Sequence, residues 1–149
     1  MIRKFSLIAL ACLLLVGPAT LAQAKMVSVD ADMINLRSGP GSKYKVLWEL
    51  GRGYPLKVIG SKGSWYRVVD FENDKGWVYK KLVSRKAHLV VKKRAINLRS
   101  GPSTRYKIVR QAKRGVVLRT LERRKGWVKI RHDEENVEGW VKRDLLWGW

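Results

Sequence analysis

Residues 34–40 read Ile-Asn-Leu-Arg-Ser-Gly-Pro, and residues 96–102 repeat the same stretch letter for letter. The match continues at constant spacing through a Tyr-Lys pair and on to Trp65 and Trp127, which occupy corresponding positions. Toward its end the match slips by one residue, as a surface loop insertion would produce. A long match at nearly fixed spacing indicates that one small unit was duplicated.

Each copy consists of short apolar–polar alternations separated by Gly, Pro, Asn and Asp, without a long segment of helical period. This pattern predicts short β-strands joined by tight turns. About 60 residues suffice for a small barrel that side chains fill, which leaves no interior substrate cavity. We therefore expect an all-β protein made of two tandem small barrels, each with five to six short strands. Residues 82–87 lack the Gly, Ser or Pro run of a flexible linker, so the barrels are expected to lie close together.

The first residues have the features of a secretory signal peptide. Arg3 and Lys4 precede an apolar run over residues 5–16, and Ala-Gln-Ala at 22–24 supplies small residues for cleavage. The run is shorter than the roughly 20 residues that span a bilayer, so no integral membrane segment is expected after cleavage. The predicted organisation is a signal peptide at 1–24, a first domain at 25–84 and a second domain at 87–149.

Cleavage would also remove the single cysteine, Cys12, which lies inside the apolar run rather than before a polar tether. The mature chain would then have no disulfide, no thiolate metal site and no thiol nucleophile. The expected location is outside the cytoplasm, either periplasmic or extracellular.

The charge balance is strongly basic, with 32 Lys and Arg against 12 Asp and Glu. The two copies share this charge unequally, because residues 25–83 hold 11 basic and 6 acidic side chains whereas residues 84–149 hold 19 and 6. Such a field raises the local concentration of polyanions but does not select among them. A basic surface that serves only solubility is the competing interpretation. Nucleic acid would be held non-specifically, and an exported protein rarely meets it.

The order of the repeated motifs resembles the bacterial SH3-like (SH3b) family. The motifs are Asn-Leu-Arg-Ser-Gly-Pro, Tyr-Lys, a single Trp, and Gly-Trp-Val with a leucine four residues on, found at 76–82 and again at 139–145. The resemblance implies two partly open SH3-like barrels that serve as a binding module in exported bacterial proteins. Family members often accompany cell-wall hydrolase domains, and some bind anionic wall polymers. The acidic loop that eukaryotic relatives use on proline-rich peptides is absent, so recognition of such peptides is not expected.

The sequence offers little for catalysis. The two histidines, His88 and His132, share no metal-ligand spacing with each other or with paired carboxylates. Ser38 and Ser100 lie in turns without a base positioned to activate them, and no phosphate-binding glycine loop is present. We therefore expect a non-enzymatic protein that needs no cofactor and no metal.

Aromatic residues are the better candidates for binding. If Val128 and Ile130 point into the barrel, Trp127 lies on the outer face with its alternate neighbours, and the same parity applies to Trp65. An outward tryptophan beside cations can stack on a sugar ring while the cations bind carboxylate or phosphate. Trp77 and Trp140, next to glycines, are interpreted instead as covers for the barrel ends. The predicted aromatic platform comprises Trp65, Trp127, Trp48 and Tyr79.

Basic residues near the platform and at turns of the second copy are the candidates for anion binding. A short basic run is more often a solvated face, but the three runs at 92–94, 113–114 and 123–125 have few acids nearby, so a patch is an equal alternative. The predicted anion-binding residues are Arg67, Lys129, Arg131, Arg123, Arg124, Lys125, Lys113 and Arg114.

Together these features predict a monomeric binding module for an anionic cell-wall or envelope component such as peptidoglycan. The alternative is a protein–protein adaptor of the envelope. Trp147 and Trp149, at the end of the sequence, either pack on the second barrel or dock a partner, and the pattern does not choose between these.

Overall fold

The computed structural model describes residues 24–149. The chain forms two separate β-sheets of seven strands each, which confirms the all-β class with two tandem small β domains. The predicted signal peptide at 1–24 lies outside the described residues, except for Ala24. Within the described part of the chain, no helix is long and apolar enough to cross a membrane.

The first sheet has the strand order β3-β2-β6-β5-β4-β1-β7, with antiparallel neighbours throughout. Its strands are β1 (Met26–Val29), β2 (Met33–Arg37), β3 (Val46–Gly51), β4 (Pro55–Lys62), β5 (Trp65–Val69), β6 (Lys75–Tyr79) and β7 (Val83–Ser84). A short 3-10 helix, Lys80–Leu82, separates the last two.

The second sheet repeats that order as β10-β9-β13-β12-β11-β8-β14. Its strands are β8 (His88–Val91), β9 (Ala95–Arg99), β10 (Ile108–Lys113), β11 (Val117–Arg124), β12 (Trp127–His132), β13 (Val137–Lys142) and β14 (Leu146–Gly148). The 3-10 helix Arg143–Leu145 precedes β14. Each sheet thus has seven strands rather than five or six, because the chain pairs once more with the first strand after the 3-10 turn.

Each domain has its own apolar core. In the second domain Val128 and Ile130 are buried at alternate positions of β12, as the strand parity predicts, and Val141 lies beside them. Val68 and Val78 occupy the corresponding places in the first domain. The two cores are separate clusters, so each copy folds around its own side chains.

The repeated heptapeptide has a structural role in both copies. The Arg37 guanidinium donates from Nη1 to the carbonyls of Ser42 and Tyr44, both at 2.9 Å. Arg99 does the same to the carbonyls of Thr104 and Tyr106 at 3.1 and 2.9 Å. A tyrosine ring also covers the motif glycine, since a Cβ on Gly101 would lie 2.6 Å from the Tyr106 ring. The motif therefore fixes its own loop in both copies.

The glycine of Gly-Trp-Val lets two strands approach closely. A Cβ on Gly76 would lie 2.6 Å from Cγ of Leu36 and 2.9 Å from the Arg37 carbonyl oxygen. On Gly139 it would lie 3.0 Å from Cβ of Leu98. Only glycine therefore fits where β6 crosses β2, and β13 is similarly restricted beside β9.

The two domains touch through a hairpin of the first and a turn of the second. Buried Asp70 shapes the hairpin by accepting the backbone N–H groups of Glu72 and Asp74, both at 2.9 Å. Arg114 of the second domain then donates to Oε1 of Glu72 at 3.0 Å and stacks on Phe71 at 5.1 Å from the ring centroid. Strands β8 and β14 also contact β4 across the boundary.

The terminal tryptophan segment packs back on the second domain. Trp147 lies in β14 opposite Val90, and the backbone N–H of Trp149 donates to the His88 carbonyl at 3.1 Å. Thr120 adds a hydroxyl hydrogen bond to the Trp149 carbonyl at 2.6 Å. Both indole rings remain half-buried.

Candidate anion-binding site

A shallow depression of about 470 Å³ surrounds Trp127 in the second domain. Four cationic side chains and a single carboxylate line it together with the half-buried indole. We call this depression the Trp127 cup; its polar side chains are Lys92, Lys125, Lys142, Arg143 and Asp144.

Four separate elements bring these cations together. Lys125 lies in the tight β11–β12 turn with φ of 41°, next to Gly126 with φ of 83°. Lys142 lies directly across from Trp127 in the β12–β13 pair. Lys92 follows β8, and Arg143 begins the 3-10 helix after β13. These strand ends and turns lie at the same end of the sheet, so charges that are distant in sequence meet around one ring.

Arg143 also forms part of the wall. Its Nη1 and Nη2 donate to the carbonyls of Leu146 and Gly148 at 2.9 and 2.7 Å, which anchors β14 beside the cup. Burial, with a smaller contribution from the charge of Arg123, lowers the pKa of the Arg143 guanidinium. A bound anion would therefore stabilise a guanidinium that burial has deprived of part of its hydration.

The remaining cations of the cup have no internal partner. Within residues 24–149, Lys92, Lys125 and Lys142 form no ion pair. Their ammonium groups can each donate to an incoming carboxylate or phosphate without first breaking a salt bridge. The indole beside them offers a flat apolar face to the same ligand.

The matching place in the first domain has a different character. Trp65 packs against Tyr79, with ring centroids 5.5 Å apart and planes inclined at 51°. Tyr79 occupies the position of Lys142, and Asp30 that of Lys92. Lys80, which matches Arg143, donates to the Gly63 carbonyl at 2.7 Å. The first domain thus presents an aromatic pair where the second presents a cationic cup.

Several predicted anion-binding residues already have acidic partners. Lys129 Nζ lies 3.5 Å from Glu138, and Arg131 bridges Asp133 and Glu138, both at 3.1 Å. Arg124 pairs with Glu122 at 2.6 Å and covers the ring of Trp140 at 5.2 Å. Arg114 is occupied at the domain contact. These four guanidinium and ammonium groups are therefore less available to a ligand than Lys125.

The other predicted residues lie apart from the cup or at its margin. Arg67, Lys113 and Arg123 are exposed and form no ion pair in the described chain. Trp48 is 58% exposed on the edge strand β3, in the other domain. Within residues 24–149, no group of three His, Cys, Asp or Glu side chains is placed to hold a metal ion.

Trp140 is only 7% exposed although strand parity places it on the outer side. Arg124 covers the ring, which accounts for the burial of an outward-facing indole. Its packing supports the interpretation of this tryptophan as a cover for the barrel. Trp77 is half-buried at the matching position.

Three cations of the cup, Lys92, Lys142 and Arg143, were not among the predicted site residues. Lys92 belongs to a recognised basic run, but nothing in that run relates it to Trp127. A position-by-position comparison of the two copies could have identified Lys92 and Lys142 as differences between them. Where the first copy has Asp30 and Tyr79, the second has lysine at both places, and only the fold shows that these places adjoin the tryptophan.

Comparisons with known proteins cover both domains. One curated relative, "Putative N-acetylmuramoyl-L-alanine amidase YrvJ" of Bacillus subtilis, is 26% identical over 138 residues, covering 85% of this chain and 26% of the relative. "Probable cell wall amidase LytH" of Staphylococcus aureus is 41% identical over 44 residues, covering 29% of this chain and 15% of the relative. This chain therefore spans only about a quarter of the first relative and less of the second.

Among solved structures, an NlpC/P60 family protein of Bacillus cereus aligns with 84% of this chain and 56% of its own, at 14% identity and a TM-score of 0.40. The bacterial SH3 domain matches twice in sequence, at residues 30–85 and again at 94–146. The chain belongs to the bacterial SH3 domain family and carries two such domains in tandem.

Proposed function

We propose that this chain is a non-enzymatic, exported binding module that holds an anionic component of the bacterial cell wall or envelope, such as peptidoglycan. The observation that carries the proposal is the Trp127 cup, where four cations and one acid surround an accessible indole. Family membership and the amidase relatives support a role related to the cell wall. The predicted signal peptide supports export.

The cup suits a ligand that combines a ring with negative charge. A sugar ring stacks on the face of Trp127, while Lys92, Lys125 and Lys142 donate to carboxylate or phosphate oxygens. Exposed ion pairs of this kind are individually weak, so several cations must act together. The net positive charge of the second copy adds long-range attraction and speeds encounter with the polymer.

The first domain would add a second, weaker contact through the Trp65–Tyr79 pair. Two weak sites on one chain gain avidity when the ligand repeats at a compatible spacing, as a wall polymer does. In this arrangement the second domain supplies charge and the first supplies aromatic surface.

Sedimentation with purified wall sacculi tests the proposal. The full chain should pellet at low salt and be released as salt rises, because counterions screen the contacts of the cup. Lys125→Gln combined with Lys142→Gln should weaken binding about tenfold and flatten the salt dependence. Lys57→Gln with Lys75→Gln serves as the control, because it removes the same charge from exposed sites of the first domain at the end of the sheet that lies away from Trp65. Equal losses in both double variants would reduce the cup to one part of a diffuse basic surface.

The adaptor function has one observation in its favour. Edge strand β3 exposes three consecutive apolar residues, Val46, Leu47 and Trp48. Its counterpart β10 has Arg110 in place of Trp48, and this arginine pairs with Glu135 at 2.6 Å. A charged residue on an edge strand discourages pairing with another chain, and β3 lacks one at this position. Trp48→Arg should leave sacculus binding unchanged if the cup binds the wall. Failure of the wild-type chain to pellet at any salt would favour the adaptor.

A further inference from the structure

A cleft of about 840 Å³ lies between the two domains and shares no lining residue with the Trp127 cup. Both domains and the connecting segment line it. Its acidic members are Asp30, Asp32, Asp133 and Glu134, and its basic members are Arg52, Lys86 and Arg119. A chain with 32 basic and 12 acidic residues has thus placed a third of its acids around one cleft.

The basic residues of the cleft are already neutralised by neighbours. Arg52 pairs with Asp32, Lys86 with Asp30, and Arg119 with Asp133, each at 2.8 Å. Asp133 is also paired with Arg131, at 3.1 Å, whereas Glu134 is the one acid of the cleft that forms no ion pair in the described part of the chain.

His88 supplies a polar acceptor independent of these carboxylates. The residue is only 8% exposed and lines the cleft. Its Nδ1 lies 3.0 Å from the Lys86 carbonyl oxygen, so this nitrogen carries the proton and donates. Nε2 is then an unprotonated acceptor, and no residue from 24 to 149 donates a hydrogen bond to it. The ring edge that carries Nε2 faces the first domain, since a Cβ on Gly53 would lie 2.9 Å from that atom.

We propose that the inter-domain cleft binds a primary ammonium group carried by a short peptide, with His88 Nε2 accepting one of its protons and Glu134 supplying the opposing charge. An ammonium group has only donors, which matches an unpaired acceptor set among carboxylates. A carboxylate or phosphate ligand would place lone pairs against the lone pair of Nε2 and against Glu134. Tyr54 and Val117 give the peptide apolar walls, one from each domain.

The protonation states agree with this arrangement. Burial lowers the pKa of His88, which keeps the ring neutral at pH 7. The hydrogen bond from Lys86 lowers the pKa of Asp30, and that from Arg119 lowers the pKa of Asp133, so both carboxylates stay ionised. The cleft therefore keeps its acceptors throughout the neutral range.

A blocked tripeptide, N-acetyl-Ala-Lys-Ala-amide, is a suitable probe because its side-chain ammonium is its only charge. The full chain is titrated with it while the ¹⁵N signals of the His88 imidazole are followed by NMR. The Nε2 signal should move saturably with the lysine peptide and stay fixed with its Nε-acetyl-lysine counterpart. A fixed Nε2 signal with both peptides, or equal movement with both, would overturn the proposal.

Two variants sharpen the result. Glu134→Gln, at an exposed position, should weaken binding of the lysine peptide about threefold. His88→Phe keeps a planar ring but removes the acceptor. In this variant the backbone amide signals of the cleft residues should no longer respond saturably to the lysine peptide. The thermal midpoint shows whether the variant folds, and if it does not fold, the result with Glu134→Gln tests the proposal. Affinity unchanged by Glu134→Gln would count against the cleft.

The cleft and the cup can fail separately. Trp127→Ala should leave peptide binding unchanged, and Glu134→Gln should leave sedimentation with sacculi unchanged. If the wild-type chain binds the lysine peptide but does not sediment with sacculi, the wall-binding function is refuted and the cleft proposal stands.

Discussion

Two tryptophans of the second domain show how burial separates a structural ring from a candidate binding ring. Trp140 is almost completely buried beneath Arg124, whereas Trp127 is half-buried and open to the cup. The two lie on neighbouring strands of one sheet, so their backbones share similar surroundings. The difference arises from what covers each ring.

Trp140→Ala should therefore lower the free energy of unfolding by about 3 to 5 kcal/mol, the usual range for a buried large aromatic residue. Trp127→Ala should cost less, about 2 kcal/mol, because part of its ring is already in water. Chemical denaturation of each variant measures these values, and sacculus sedimentation of Trp127→Ala should show weakened binding. A loss of stability at Trp127 equal to that at Trp140 would identify its ring as part of the core.

Single residues also explain which parts of the site could be predicted from the sequence. Strand parity was sufficient for Val128 and Ile130, since alternation along a strand is local. It was insufficient for Arg131 and Arg124, whose acidic partners lie on the hairpin tip, on the next strand or two positions away. Whether a cation is available depends on such partners, which composition does not reveal.

At the scale of elements, the short strand β14 depends on one guanidinium group. Arg143 donates to two carbonyls of this strand and is half-buried, so its hydrogen bonds are stronger than those of a solvated cation. The position was overlooked in the sequence because Arg143 follows the recognised Gly-Trp-Val motif without a pattern of its own. The strand itself was missed for the same reason, since three residues are too few for a periodic signal.

Arg143→Ala should release β14 from β8. We expect hydrogen exchange of the amides of residues 146–148 to accelerate at least tenfold, and the free energy of unfolding to fall by about 2 kcal/mol. Lys80→Ala is the matched control in the first domain, where the side chain makes a single exposed hydrogen bond to Gly63. Equal acceleration in β7 of that control would show that the 3-10 turn, rather than the arginine, holds the last strand.

For the whole molecule, the repeat predicts two similar domains but not the surface between them. The contact combines Gly53 and Arg114, which have identical counterparts in the other copy, with Phe71 and His88, which do not. Phe71 and Glu72 meet Arg114, and Gly53 leaves room for His88, whose counterpart in the first copy is Met26. Duplication therefore accounts for the domains, and divergence between the copies accounts for both the cup and the cleft.

The buried His88 makes the stability of this assembly depend on pH. Burial lowers its pKa below the unfolded value of about 6.5, so the unfolded chain binds a proton that the folded chain resists. The contribution is fully present above pH 6.5 and is lost as pH falls below it. The acidic and basic side chains that line the cleft with this ring are Asp30, Asp32, Arg52 and Lys86 on one side and Arg119, His132, Asp133 and Glu134 on the other.

The thermal midpoint of the wild-type chain should therefore fall between pH 7 and pH 5, and that of His88→Gln should fall less. Asp30 and Asp133 do not titrate between pH 7 and pH 5, because Lys86 and Arg119 hold the pKa values of these carboxylates below their usual range. Their contributions are present above about pH 4 and disappear only in stronger acid. His132→Gln, at the end of β12 and less buried, is the matched control. Parallel curves for wild type and His88→Gln would mean that the imidazole is solvated in the folded protein, and the domain contact would then lack its proton-sensitive group.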